Sequence, residues 1–462
     1  MRLEEIIGMT REYFPLALIA VIALGIIFIL IYFIVYKKVL RGKKSLPKKQ
    51  LLLLGMFIGY VIMVSGVTFL NRGSNQGGMN LSLFSSYREA WYSFSVRHWQ
   101  FIYLNIIMFI PFGILFPLLH PRLRKAVWTI GVAALFTLFI ESVQLITGYG
   151  SFDVDDLFNN LLGAIIGYGL IMGFICIKKK GIKQSVRYFS PLLLVIILSA
   201  SMVTYYHLKE FGNLSIVPGH KIDMRQAIAT TDVKLNDSNM AVPIYKAPSY
   251  TKSAADEFVQ DFFERMHVDT SSMDDISYPD LGMYRINEEN SYNMSFQFLD
   301  GSYSFTDFSI HEEGRRPKDV DEETLKENLT KYGIDIPQDT KFQKNDTGVY
   351  EWTVDKKVEG NQLIDGALTA SYYNDHTVKE IENQLVTYDK VRDVQIKSEQ
   401  EAYKEVLEGK FQFFDKDNKI DTLQIHKVGV NYYLDSKGYY QPIYAFQSTL
   451  DGVDMIILVP AI

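Results

Sequence analysis

The chain has one cysteine, Cys176, and it falls within an apolar run, so no disulfide can staple any part of the fold. It also has little net charge for its 462 residues, −6, with an acidic pI near 5.8 and no basic patch interleaved with aromatics, which argues against a nucleic-acid partner. Histidines are few and scattered: His220, His267, His311, His376 and His426 show no metal-ligand spacing and read as solvated surface residues. The acidic run at Asp415, Asp417 and Lys419 has the opening of a calcium loop. It carries Ile420 and His426 where such a loop needs glycine and glutamate, so it reads as a hairpin turn. Finally, no apolar run of membrane-spanning length occurs after Tyr206. A mean hydropathy of +0.02 therefore averages two unlike halves, one for a membrane and one for water.

The first half holds six apolar runs, at residues 14–36, 51–70, 101–119, 127–146, 157–177 and 191–206. Each is of a length to cross, or nearly cross, about 30 Å of hydrocarbon at about 1.5 Å per residue. No signal-peptide cleavage site follows the first, which reads as a retained anchor. Lysines and arginines crowd the connections at 37–49, 122–125 and 178–187, and by the positive-inside rule these three are cytoplasmic. Alternation then places the N-terminus, the acidic turn at Asp153, Asp155 and Asp156, and everything after residue 206 on the outer face. The expected organisation is a first span and basic loop (1–50), a four-helix membrane core (51–178), a loop and sixth span (179–206), and an extracytoplasmic domain (207–462).

Polar residues inside the spans are costly and mark a site by default. Asn105 lies just inside a span entering from outside. Glu141 and Gln144 lie near the outer end of the next, and Asn159 and Asn160 just after re-entry, so all converge on the outer third of the bilayer. Glu141 and Gln144 share one helix face at i and i+3, and Asp156 and Asn160 share another at i and i+4. Gly163 and Gly167 continue the Asn160 face as a small-xxx-small pair that admits a close neighbour. Pro111 and Gly113 are expected to break or kink the third span. Three chemistries fit such a cluster. Glu141 can act as a buried proton-coupled group, the oxygens can hold a divalent cation, or Glu141 with Asp155 or Asp156 can do acid–base work on a lipid-linked substrate. The competing reading is that the polar groups only fasten helices together, as a scaffold for the second half.

Three motifs in order, NIIMFIPFG (105–113), IESVQ (140–144) and FDVDDLFNNLLGAIIGY (152–168), give residues 51–178 a good resemblance to the VanZ family of membrane proteins. What the resemblance implies is a small multi-pass membrane domain, named for low-level resistance to the lipoglycopeptide teicoplanin, without a settled biochemical activity. Its characteristic polar positions fall here on Asn105, Glu141, Gln144, Asp153, Asp155, Asp156 and Asn160. Many members carry an arginine shortly before the FD pair, where this chain has Tyr149 or Ser151, so Arg97 or His98 would have to supply any fixed positive charge. The implied partners are the bilayer and a lipid, lipid-linked envelope precursor or lipoglycopeptide.

The second half mixes helix and strand signals. Residues 251–268 place Phe258, Phe262 and Phe263 on one face, residues 321–332 read as a second helix, and Ser398 with Glu401 forms a capping-box pattern opening a third. Alternating apolar residues flank Asp300-Gly301 and Asp451-Gly452, two hairpin turns. The fold class is thus an all-α bundle of six membrane helices followed by an α+β domain with antiparallel sheets, with a possible division into subdomains near residues 389–398. Residues 401–411 and 439–446 are similar to PepSY-like and related extracytoplasmic Gram-positive domains, which implies binding or regulation at the cell surface.

Overall fold

The computed structural model of the chain describes residues 47–69, 78–94, 96–148, 150–278, 280–287, 291–413 and 419–462. The expected first span at 14–36 and most of the acidic run at 415–419 lie outside the described residues. Two compact units divide near residue 210.

Among the described residues, five helices of the first unit are long and apolar enough to cross a membrane: α1 (Lys48–Phe69), α3 (Val96–Leu119), α4 (Ala126–Thr147), α5 (Val154–Lys180) and α6 (Ile182–Leu208). A short helix, α2 (Ser85–Ser93), precedes α3. Two sequence expectations are corrected by local chemistry. Pro111 does not break α3, which runs on through Pro111 and Pro117 to Leu119. Residues 182–190, expected as loop, form the first third of α6, so that Gly181 alone separates it from α5. Pro191 inside α6 cannot donate to the carbonyl of Arg187, and the Ser190 hydroxyl donates to that carbonyl instead, at 2.8 Å.

Small residues set the packing of α5. A Cβ on Gly163 would lie 2.0 Å from the Ile106 carbonyl oxygen, one on Gly167 2.0 Å from that of Ile110, and one on Gly113 2.1 Å from that of Ala164. Backbones of α3 and α5 therefore touch directly, which only paired glycines allow. Around this seam Tyr60, Val64, Phe109, Phe112, Ala133, Ile140 and Ala164 form an apolar core. By contrast α6 buries little besides Ser185 and Tyr206. Its Ser199 accepts from the Tyr103 hydroxyl of α3 at 2.7 Å.

The second unit is one fourteen-stranded, mostly antiparallel sheet, β3 (Ile228–Thr231) to β16 (Val453–Pro460), with β3 parallel to β14 (Thr422–Leu434). Alternation dictates it: in β7 (Ser291–Gln297) Met294 and Phe296 turn inward, and Tyr284 and Ile286 do so from the neighbouring β6 (Leu281–Asn287). The expected helices appear as α7 (Lys252–Arg265), α8 (Glu322–Lys331) and α9 (Glu399–Leu407), the last with its complete capping box at Ser398 and Glu401. Asp451 and Gly452 both take positive φ (47° and 84°), the two-residue turn that joins β15 (Tyr439–Leu450) to β16. Residues 389–398 fall in β13 (Val386–Ile396) and the cap of α9. One apolar core, with α7 and α8, gathers residues 255–381, and a second, with α9, gathers mainly residues 394–461.

Candidate functional site

The polar groups meet where α4 closes and α5 opens. Gly148 ends α4 with φ of 71°, the left-handed conformation that caps a helix and that glycine adopts without strain. Asp153 then caps α5, its Oδ1 accepting from the Asp155 N–H at 2.8 Å. Just before it, the pair β1 (Met79–Asn80) and β2 (Phe152–Asp153) lies parallel, so the 78–94 segment is fastened to this junction.

Asp155 is completely buried and accepts at the start of α2: from the Phe84 N–H at 2.5 Å, the Ser86 N–H at 2.8 Å and the Ser85 hydroxyl at 3.3 Å. A carboxylate at a helix N-terminus satisfies amides that have no helical partner and meets the positive end of the helix dipole. One turn along α5, Asn159 accepts from the Tyr87 hydroxyl of α2. Asp153 Oδ2 accepts from the Asn80 amide at 3.1 Å, and that amide also donates to Ser85 at 2.8 Å. Burial pushes the Asp153 carboxyl above its ordinary range, although the Asp155 N–H and Asn80 pull it down. Strain accompanies the latch: Phe84 and Phe94, at the two ends of α2, take φ of 63° and 44°, uncommon for bulky residues.

The remaining groups divide by helix face. Asp156, half-buried, accepts from the Asn105 amide of α3 at 2.5 Å. Asn160, buried, donates to the Thr137 hydroxyl of α4 at 2.9 Å. Glu141, only 2% exposed, accepts from the Asp153 N–H at 3.1 Å, and Gln144 donates to the Thr68 carbonyl of α1 at 3.5 Å. Thr129, Ala133, Thr137, Glu141 and Gln144 thus make one buried stripe along α4. Two side-chain carbonyl oxygens, Gln144 Oε1 of this stripe and Asn160 Oδ1 facing it from α5, are buried and have no hydrogen-bond donor among the described residues.

All seven sequence-derived positions therefore lie around one junction, with their contacts spread over α1, α2, α3 and α4. Asp156 turns to Asn105 while Asp155 turns to α2, because adjacent residues on a helix point about 100° apart. Arg97 stacks over Phe101 at 5.8 Å, and His98 bonds Ser93 at 2.9 Å and approaches Glu89 at 3.8 Å. Among the described residues, no three His, Cys, Asp or Glu side chains converge as metal ligands. Sequence reasoning passed over Ser85, Tyr87, Thr137 and Asn80. The one available signal was the i, i+4 spacing of Asp155 and Asn159, which parallels that of Asp156 and Asn160.

Residues 51–177 match the VanZ/LLP1 family model, a span that runs from α1 into α5 and includes none of the fourteen-stranded sheet. This part of the chain is VanZ-like. No curated protein matches the chain. Among solved structures, an uncharacterized protein from Eubacterium rectale ATCC 33656 is similar at 10% identity, over 50% of this chain and 87% of that one, with a TM-score of 0.27. At that score the likeness carries no argument.

Proposed function

We propose that this VanZ-like membrane protein binds a lipid-linked or lipoglycopeptide ligand at the outer leaflet, through Glu141, Gln144 and Asn160 with the neighbouring Asn105–Asp156 pair. The observation that carries this reading is the pair of buried carbonyl oxygens, on Gln144 and Asn160, that have no donor among the described residues. Such a group left unpaired costs about 1–3 kcal/mol, so a site that keeps two of them is built to receive donors. Hydroxyl and amide N–H groups, the donors of glycans and peptides, meet that need. Gln144 lies within one turn of Glu141 along α4, and Asn160 reaches the same stripe through Thr137.

The outward orientation of this end rests on the charge of the connections. Single cysteines at Ser151 and Lys179 on a Cys176→Ala background test it with a membrane-impermeant thiol reagent. Labelling of Ser151 alone supports the orientation, and labelling of Lys179 alone inverts it. Function is tested by resistance to a teicoplanin-type antibiotic. Glu141→Gln and a Gln144→Leu, Asn160→Ala pair abolish it at unchanged membrane abundance; a phenotype that falls only in step with abundance sinks the reading.

A scaffold role is favoured for Asp153, Asp155 and Asn159 alone, because their oxygens are taken up in holding residues 80–87. An acid–base role for Asp155 gains nothing from that geometry. Both its oxygens already serve the start of α2.

A further inference from the structure

We propose a second ligand site, at the other end of α4 from Glu141, that holds the phosphate of an anionic membrane lipid. The turn between α3 and α4 is one 3-10 turn (Pro121–Arg124), with Pro121 at its start and His120 as its cap, where His120 Nδ1 accepts from the Arg122 N–H at 3.2 Å. From α5, the Tyr168 hydroxyl donates to the Arg124 carbonyl at 2.8 Å and pins the turn to the bundle. This fixed backbone displays an open cavity of about 570 Å³, lined by His120, Arg122, Leu123, Lys125 and Trp128.

The lining has two chemical characters. Arg122, Lys125 and His120 supply donors and positive charge, and the lining contains no carboxylate. Neither the turn nor α4 has an acidic residue in its first turn. Arg122 and Lys125 have no ion-pair partner among the described residues, whereas most cations of the sheet unit do, as in Lys379 with Asp307 and Arg315 with Asp375. An anion is the guest such a wall selects. The other wall is apolar: Trp128 is 52% exposed and Val127 next to it 69%, with Leu123 between the cations.

An exposed tryptophan at the end of a membrane-length helix is the side chain that sits at headgroup depth. Cations and an apolar wall side by side at that depth match an amphiphile, a phosphate joined to acyl chains, better than a soluble phosphate. Lys178, Lys179 and Lys180 at the end of α5 are equally basic and serve as the comparison.

The test is native mass spectrometry of the full chain in detergent, titrated with phosphatidylglycerol, phosphatidylcholine or inorganic phosphate. One phosphatidylglycerol binds at least about tenfold more tightly than phosphatidylcholine, and an Arg122→Ala, Lys125→Ala pair weakens it by about 30-fold, about fivefold for each cation. A Lys179→Ala, Lys180→Ala pair changes it by less than about threefold, and Arg122→Lys recovers part of the loss. Both altered side chains of the first pair are exposed, so helix content by circular dichroism stays that of the parent. Equal weakening by the two lysine and arginine pairs reduces the site to a diffuse basic face and overturns the proposal. So does equal binding of the two lipids, or full displacement of phosphatidylglycerol by millimolar inorganic phosphate.

Discussion

Removing the Asp155 carboxylate releases the 78–94 segment. In the parent chain this group accepts two backbone N–H groups, of Phe84 and Ser86, and the Ser85 hydroxyl, all while completely buried. Asp155→Ala leaves two amides at the start of α2 without acceptors. Loss of a helix cap costs about 1–2 kcal/mol and loss of a charge-assisted hydrogen bond about 1.5–3 kcal/mol, so the latch as a whole weakens by about 3 kcal/mol. That is a rise of about 150-fold in the population of the opened segment. Amide hydrogen exchange reads it directly: α2 exchanges about 100-fold faster or more, while α5 beyond Asn160 keeps its protection, because the glycine seam to α3 is untouched. Asp155→Asn, which keeps one acceptor oxygen, falls between. Unchanged exchange in α2 after Asp155→Ala would refute the latch, and equal acceleration in α2 and α5 would show a general loss of folding in its place.

The other predictions test separate contacts. Gly163→Leu forces α3 and α5 apart, since even a Cβ there would meet the Ile106 carbonyl at 2.0 Å, and membrane abundance collapses; Gly131→Ala, where nothing lies within 4 Å, leaves it unchanged or higher. Ser190→Ala leaves the Arg187 carbonyl without its substitute donor and destabilises α6 by about 1 kcal/mol, measurable as a lower unfolding midpoint in detergent. Ser398→Ala removes the cap of α9 and costs about 1 kcal/mol in urea unfolding of the full chain, read from the sheet unit. Burial alone would raise the Asp375 carboxyl, but hydrogen bonds from Lys379 and Thr377 and the charges of Lys379 and Arg315 hold it below its ordinary value. A depressed carboxyl contributes stability above its unfolded pKa and loses that contribution as pH falls through its folded value. Asp375→Asn therefore flattens acid unfolding below about pH 4, the ordinary carboxylate range.

The division into an apolar helical half and a sheet half was legible in the sequence, because run length and alternation are properties of neighbouring residues. Five described helices fall where apolar runs lie, and α7, α8, α9 and both hairpins fall where amphipathic spacing, caps and Asp-Gly turns place them. The VanZ-like motifs were legible for the same reason, and Gly163 with Gly167 announced a close helix seam. Other features depended on partners distant in the chain. That α3 passes through Pro111, and that α6 begins at Ile182 and passes through Pro191, follows from packing and from a replacement donor, which overrode the local breaking signal. Which residue faces which was beyond the sequence altogether. Asp155 and Asp156 are adjacent and chemically alike, yet one closes a loop helix 70 residues away and the other holds Asn105 on α3. A step of about 100° around one helix separates these two fates, and only the docked neighbours turn that rotation into different chemistry. Polar residues in a membrane segment declare that something must satisfy them; the tertiary structure decides which are satisfied by the protein and which, as the side-chain oxygens of Gln144 and Asn160, have no donor among the described residues.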